Sequence, residues 1–330
     1  MITPYLSFSK SALAEDVCRL QKSSITINRH WVSALTDGVP ADLLRDVVLA
    51  ATEFAACRTI PHAEYLAAAG FPNIILTGRA IDAESLQRLR AVAERSQITA
   101  VIDHFRHAEL LSQCVQSCSN PASVMIRVLI EVDLGQQSTG VCPGPDAARL
   151  ASAAQRLPGL QVAGVFVSSN NCRDDMESGD TNANRSTTVT IADHGLRSIR
   201  DVISECSEIV VLISSADDAA RSDSRVTSLI ASPFMVNNKD GGDQGRSPSV
   251  LLTSTVISRP TLEWCVIDAG RDALVDLSDV YVHTPAGATI LRSTDDTSAL
   301  QLSGAAIDLR IGDTVQLGLR RPERFLRNCS

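Results

Sequence analysis

The sequence predicts a (β/α)8 barrel followed by a smaller β domain. Three observations carry that expectation. Between residues 24 and 238, short apolar or β-branched runs alternate with polar turns and stretches of helical spacing, the mark of βα units on a parallel sheet. Eight such runs occur, the number that closes a barrel. Beyond residue 240 the texture changes to strand-like runs separated by turns, with no convincing helix. A chain of 330 residues is long for one compact core, which suits a large barrel with an appendage.

In chain order, the expected barrel strands are 25–28, 54–58, 73–77, 98–103, 124–133, 161–167, 209–214 and 226–236. Helices fill most of the gaps. The stretch 82–95 opens with an acidic turn and carries leucines and alanines at helical spacing. The stretch 145–156 begins with Pro145 and Asp146 and ends before Pro158-Gly159, and 192–206 is amphipathic with arginines on its solvated side. The polar, aperiodic segment 170–186 reads as a βα loop on the face of a barrel where active sites form. Residues 239–249, rich in Gly, Ser and Asp, read as a linker or surface loop. The β domain then holds runs at 250–257, 264–267, 280–283, 289–292, 299–302 and 314–317.

Composition narrows the function classes. The net charge is −8 and no Lys/Arg stripe is present, so nucleic acid is not an expected partner. No apolar run approaches the roughly 20 residues of a bilayer span, and the opening MITPYLSFSK lacks the features of a secretory signal. A cytoplasmic protein is expected. The nine cysteines are scattered without a CxxC pair, and read as small buried apolar residues. Only Lys10, Lys22 and Lys239 among the thirty basic residues are lysines, so any chemistry that needs an amine must use one of them.

The segment VLIEVDLGQQSTGVCPGPDAARLASAAQRLPGLQVAGVFV at 128–167 closely resembles the middle of the fold-type-III pyridoxal-phosphate proteins, in particular the D-threonine aldolase and D-serine dehydratase branch that shares its barrel with alanine racemase. Further likenesses run in order: Thr3-Pro4, AEYLAAAGFPNIILTG at 63–78, VID at 101–103, SRP at 258–260, IDAG at 267–270 and IGD at 311–313. The resemblance implies a strand at 1–9 that joins the β domain, a barrel over 10–238 and a β domain over 239–330. It also implies a lysine at the end of the first barrel strand, whose amine holds the cofactor. Here that position falls on Ser33, and residues 23–238 contain no lysine. The family's arginine in GxxRxG is replaced by Ser138 in GQQSTG. Its tyrosine after the sixth strand is replaced by Ser168, and its phosphate turn by SSADDAARSDS, where Asp217 and Asp218 would repel a dianion. The branch's metal pair falls near Arg321 and Glu323, where a guanidinium disfavours a cation, so no metal is expected.

Several residues stand out by themselves. Asp103 and Asp133 end strands, and Glu131 shares a side with Asp133, which gives a candidate acidic cluster inside the barrel mouth. The competing reading pairs these carboxylates with Arg29, Arg58 and Arg127. Ser33, with His30 and Trp31, is expected to face the mouth and fill space left by a cofactor. His104 and His107 read as helix-start residues, and Lys239 as a solvated loop residue.

The expectation is therefore a catalytically lapsed relative of D-threonine aldolase and D-serine dehydratase that binds no cofactor and serves as a binding or scaffold protein. It would form a homodimer, or a heterodimer with an active relative, and could take a small-molecule ligand. One alternative is an active pyridoxal-phosphate lyase on D-3-hydroxy amino acids. Another is a barrel enzyme that repurposes the acidic residues and is stabilised by cations.

Overall fold

The computed structural model describes residues 3–26, 30–34, 39–135, 139–168, 181–212, 225–234, 248–274, 276–320 and 322, with the backbone alone at 23–26, 30 and 181–188. The chain packs as two compact units, 17–233 and 1–16 together with 234–330.

The larger unit is a closed parallel barrel of β2 His30–Ala34, β3 Phe54–Cys57, β4 Asn73–Leu76, β5 Gln97–Ile102, β6 Ile126–Glu131, β7 Leu160–Ser168, β8 Glu208–Leu212 and β9 Ser228–Ala231. It closes where β2 pairs with β9, Val32 opposite Ile230. Helices connect the strands: α2 Ala41–Leu43, running on into a π-helical turn at Leu44–Leu49, α3 Ile60–Ala69, α4 Ala83–Ala93, α5 Phe105–Gln116, α6 Pro145–Gln155 and α7 Thr181–Arg200. The preceding helix, α1 Lys10–Thr26, spans the boundary between the units.

Local chemistry accounts for the helix ends. Asp82 caps α4 by accepting from the Ser85 N–H at 2.8 Å, and His104 caps α5 by accepting from Arg106 N–H at 3.0 Å through Nδ1. Helix α3 has Pro61 in its first turn and stops at Gly70, whose φ of 99° lets its N–H reach back to Ala67 and that of Phe71 to Leu66.

Each barrel strand sends alternate side chains inward. Val32, Ala56, Ile75, Val101, Leu129, Phe166, Val210 and Ile230 form one interior cluster, at least one residue from each strand. The opposite faces, with Trp31, Ala55, Ile74, Ala100 and Val165, are buried under the helices. This two-sided burial explains why the strands read as continuous apolar runs.

Two expected elements move. The first barrel strand is His30–Ala34, because α1 continues through residues 25 and 26. The buried series Leu13, Val17 and Leu20 sets a helical period that overrides the β-branched Ile25 and Thr26. The helix expected at 192–206 begins at Thr181 and ends at Arg200, so part of the segment expected as loop is helical.

The smaller unit is one antiparallel sheet of β1 Tyr5–Phe8, β10 Val250–Ser258, β11 Trp264–Ile267, β12 Val280–Thr284, β13 Ala288–Ser293, β14 Ser298–Leu302 and β15 Thr314–Leu319, with a short helix, α8 Arg271–Leu274. The path runs β12-β15-β10-β11-β14-β13, and β1 pairs with β10, Tyr5 opposite Thr253 and Phe8 opposite Val250. The N-terminal residues thus complete the β domain. Asp268 ties the sheet together by accepting from Ser254 Oγ at 2.6 Å, Thr255 N–H at 2.9 Å and Thr3 Oγ1.

Phe166 is 2% exposed inside the barrel. Phe166→Ala is expected to cost about 3–5 kcal/mol through lost transfer energy and a residual cavity. The midpoint of denaturant unfolding measures the loss.

Candidate functional site

The C-terminal ends of the barrel strands form the mouth, the end of a parallel barrel where chemistry collects. Strand alternation decides which residues reach it. Ala34 packs with Val32 against the interior cluster. Ser33 therefore lies on the outer face with Trp31, beside Ala55 and Ala231 in register. It is fully buried, and its Oγ has no hydrogen-bond partner among the described residues. The expectation that Ser33 faces the mouth is corrected: the inward-facing end of β2 is Ala34.

The mouth holds an ion network instead. Asp103 follows β5 on the face of Val101, and Glu131 ends β6 on the face of Leu129. Arg79, just beyond β4, joins them. Its Nη2 donates to Asp103 Oδ2 at 3.0 Å and to Glu131 Oε2, its Nε to Asp103 Oδ1 at 3.4 Å, and its Nη1 to the Thr77 carbonyl at 3.0 Å. Thr139 Oγ1 donates to Glu131 Oε1 at 2.8 Å, and the Gly140 N–H to Asp103 Oδ2 at 3.4 Å.

Two glycines allow this approach. A Cβ on Gly78 would stand 1.8 Å from the Arg58 carbonyl oxygen, and one on Gly140, at φ +109°, 2.6 Å from Asp133 N. Burial raises the Asp103 pKa, but the hydrogen bond and charge of Arg79 outweigh it and hold the carboxyl below its usual range. For Arg79 burial acts downward, and the two carboxylates more than reverse it.

The acidic cluster is thus brought together in part, by an arginine that sequence reasoning missed. Asp103 and Glu131 share one guanidinium. Asp133 turns to its own loop, accepting from the Gly135 N–H at 3.1 Å. Arg127, expected as a partner, pairs with Glu208 at the opposite end of the strands. Arg58 contributes a close backbone carbonyl, and Arg29 lies outside the described residues. The overlooked signal was GRA at 78–80, a lone cation directly after an apolar strand.

Ser168 ends β7 on the face of Phe166, half-buried. Ser138, Asp217, Asp218, Lys239, Arg321 and Glu323 lie outside the described residues, as does the side chain of His30. Among the described residues, no group of three His, Cys, Asp or Glu is placed to hold a metal ion. Cys57, Cys114, Cys118, Cys206 and Cys265 are buried as expected, whereas Cys18 and Cys142 are exposed. Burial pushes the Cys114 and Cys206 thiols up to about 11, which keeps them protonated.

His107 sits on the buried face of α5, 4% exposed, with no hydrogen-bond partner for either ring nitrogen among the described residues. Burial, reinforced by the Arg79 charge and opposed by Asp103, brings its pKa down to about 4.

Comparison with known proteins places this geometry. The sequence profile of the alanine racemase N-terminal domain matches residues 34–207, more than half of the chain. The chain belongs to this family. A D-threonine aldolase of Arthrobacter sp. is 28% identical over 157 residues, an alignment that spans 46% of this chain and 40% of that relative's own length. Among solved structures, the D-threonine aldolase of Filomicrobium marinum superposes with a TM-score of 0.84 at 20% identity, over 99% of this chain and 90% of its own. The D-threo-3-hydroxyaspartate dehydratase of Delftia sp. HT23 gives 0.76 at 15% identity, over 99% and 93%. These likenesses establish the fold: a fold-type-III barrel with a C-terminal β domain.

Among the described residues, none offers an amine at the mouth to hold pyridoxal phosphate, the group implied by this membership; Lys239 lies outside them. The inward end of β2 is a methyl group, that of Ala34. Lys22 follows Gln21 on α1, whose Nε2 bonds the Ala51 carbonyl ahead of β3, at the far rim from the mouth. Lys10 opens α1.

The His107 environment sets a pH dependence. Its folded pKa of about 4 lies below the ordinary 6.5, so the folded state resists the proton that the unfolded state accepts. Stability should therefore fall as pH drops from 6.5 towards 4, by about 3 kcal/mol in full. His107→Leu is expected to flatten that part of the profile, measured by urea unfolding at stepped pH.

Proposed function

We propose that this chain has left the cofactor chemistry of its family and works as a binding or scaffold protein in the cytoplasm, paired with a second copy or with an active relative. One observation carries the reading: residues 23–238 contain no lysine, so no amine from the barrel is available to capture a carbonyl cofactor. Two others support it. The inward position at the end of β2 is Ala34, and the carboxylates at the mouth are already neutralised in part by Arg79, which leaves them poorly disposed to act as free acid or base. No helix among the described residues is long and apolar enough to cross a membrane. A small-molecule ligand in the mouth is compatible with this role.

The second reading is an active pyridoxal-phosphate lyase on D-3-hydroxy amino acids. It is favoured by the 28% identity to a D-threonine aldolase. A barrel enzyme that repurposes Asp103 and Glu131 around a metal ion is disfavoured by the guanidinium that lies between them.

The deciding experiment adds pyridoxal phosphate to the purified protein, reduces with borohydride and searches tryptic peptides for a pyridoxyl adduct. An alanine racemase serves as the positive control. No visible absorption band and no adduct are expected. A stoichiometric adduct at any one lysine, with activity on a D-3-hydroxy amino acid, would establish the second reading in its place.

A further inference from the structure

We propose that Arg79 is the resident cation of the barrel mouth: a guanidinium tethered to the chain fills a carboxylate site that, with Arg79 removed, takes up a guanidinium or amine from solution. This inference goes beyond the loss of cofactor chemistry and stands without it.

Glu131 is 5% exposed, and its side chain at 6% is far more enclosed than that of Arg79 at 21% or Asp103 at 25%. A carboxylate this enclosed needs a counter-charge, and Arg79 supplies it. The planar fork is well used, since Nε and Nη2 both meet Asp103 while Nη2 also reaches Glu131. The carboxylates are also held by groups other than Arg79. Thr139 Oγ1 at 2.8 Å fixes Glu131, and Gly140 N–H at 3.4 Å meets Asp103.

The site therefore does not depend on its occupant for all of its shape. On the other side, the guanidinium is delivered by backbone: Gly78 presses against Arg58, and Thr77 Oγ1 donates to the Cys57 carbonyl at 3.1 Å, which fixes the turn that carries Arg79. Two carboxylates against one guanidinium leave the site net negative, so it discriminates against anions and suits a planar cation.

Thermal melting of the full chain tests this with Arg79→Ala and methylguanidinium as the probe. The variant is expected to melt at least about 5 °C below the parent, since a buried charge loses its partner. Millimolar methylguanidinium should restore half or more of that loss, sodium chloride at equal ionic strength should not, and the parent should respond to neither. A variant that melts like the parent overturns the proposal, as does recovery that salt reproduces or no recovery at all.

Should Arg79→Ala fail to accumulate folded, the double variant Arg79→Ala/Glu131→Gln removes the enclosed charge as well. It is expected to fold and to ignore methylguanidinium. Failure of that variant to fold also overturns the proposal. Cofactor trapping reads none of these outcomes, so the two proposals fail separately.

Discussion

Closing a parallel sheet on itself fixes the direction of every strand side chain, and the rest of this protein depends on that constraint. Eight strands share one interior, so the residue that follows an inward side chain must enter the layer under the helices. Trp31 and Ser33 belong to that layer, and Val32 and Ala34 to the interior. The same rule brings Asp103 and Glu131 into the mouth by placing them two positions beyond Val101 and Leu129. A shift of one residue in β2 would exchange a methyl for a hydroxyl at the mouth and move an indole inside.

The second consequence is electrostatic. Carboxylates at strand ends in a narrow mouth lose water, and their charge must be met by something. In this chain the answer is covalent and local: a turn of two residues after β4, Thr77 and Gly78, brings the Arg79 guanidinium between them, and glycine at position 78 is what permits that turn to lie against Arg58. The Asp103 carboxyl is held ionised by the same contact that holds Arg79 charged, so each stabilises the form the other requires. His107 behaves in the opposite way. It is enclosed on the buried face of its helix and kept neutral, chiefly because burial disfavours the imidazolium, with the Arg79 charge adding to that effect and Asp103 opposing it.

Much of this architecture was legible in the residues. Seven of the eight barrel strands fall where apolar runs bounded by Gly, Pro and polar turns place them, and the six later runs of the β domain all form strands. Local signals failed where a neighbouring element outweighed them. Ile25 and Thr26 favour extended backbone but form the last turn of the helix whose earlier turns are anchored by buried Leu13, Val17 and Leu20, and a polar stretch without period still supplied the start of α7. At the site, strand ends located Asp103 and Glu131 correctly. Their partner escaped because Arg79 comes from the preceding βα unit: contacts across neighbouring strand ends depend on register and turn shape, which residue spacing does not encode. The facing of Ser33 was misjudged for a related reason, since alternation can be counted only from a correctly placed strand.

The pairing of Tyr5–Phe8 with Val250–Thr253 joins positions about three quarters of the 330-residue sequence apart. Residues 17–233 include every strand of the barrel, so on a ribosome that body can close while the opening strand still has no neighbour to bond with. Until residues 250–253 are made, Tyr5–Phe8 lacks the strand it pairs with, and its edge is open to pairing with another nascent chain. Tyr5–Phe8 is four residues long, with Ser9 and Lys10 following it, and a short edge of that kind offers little template for such an encounter.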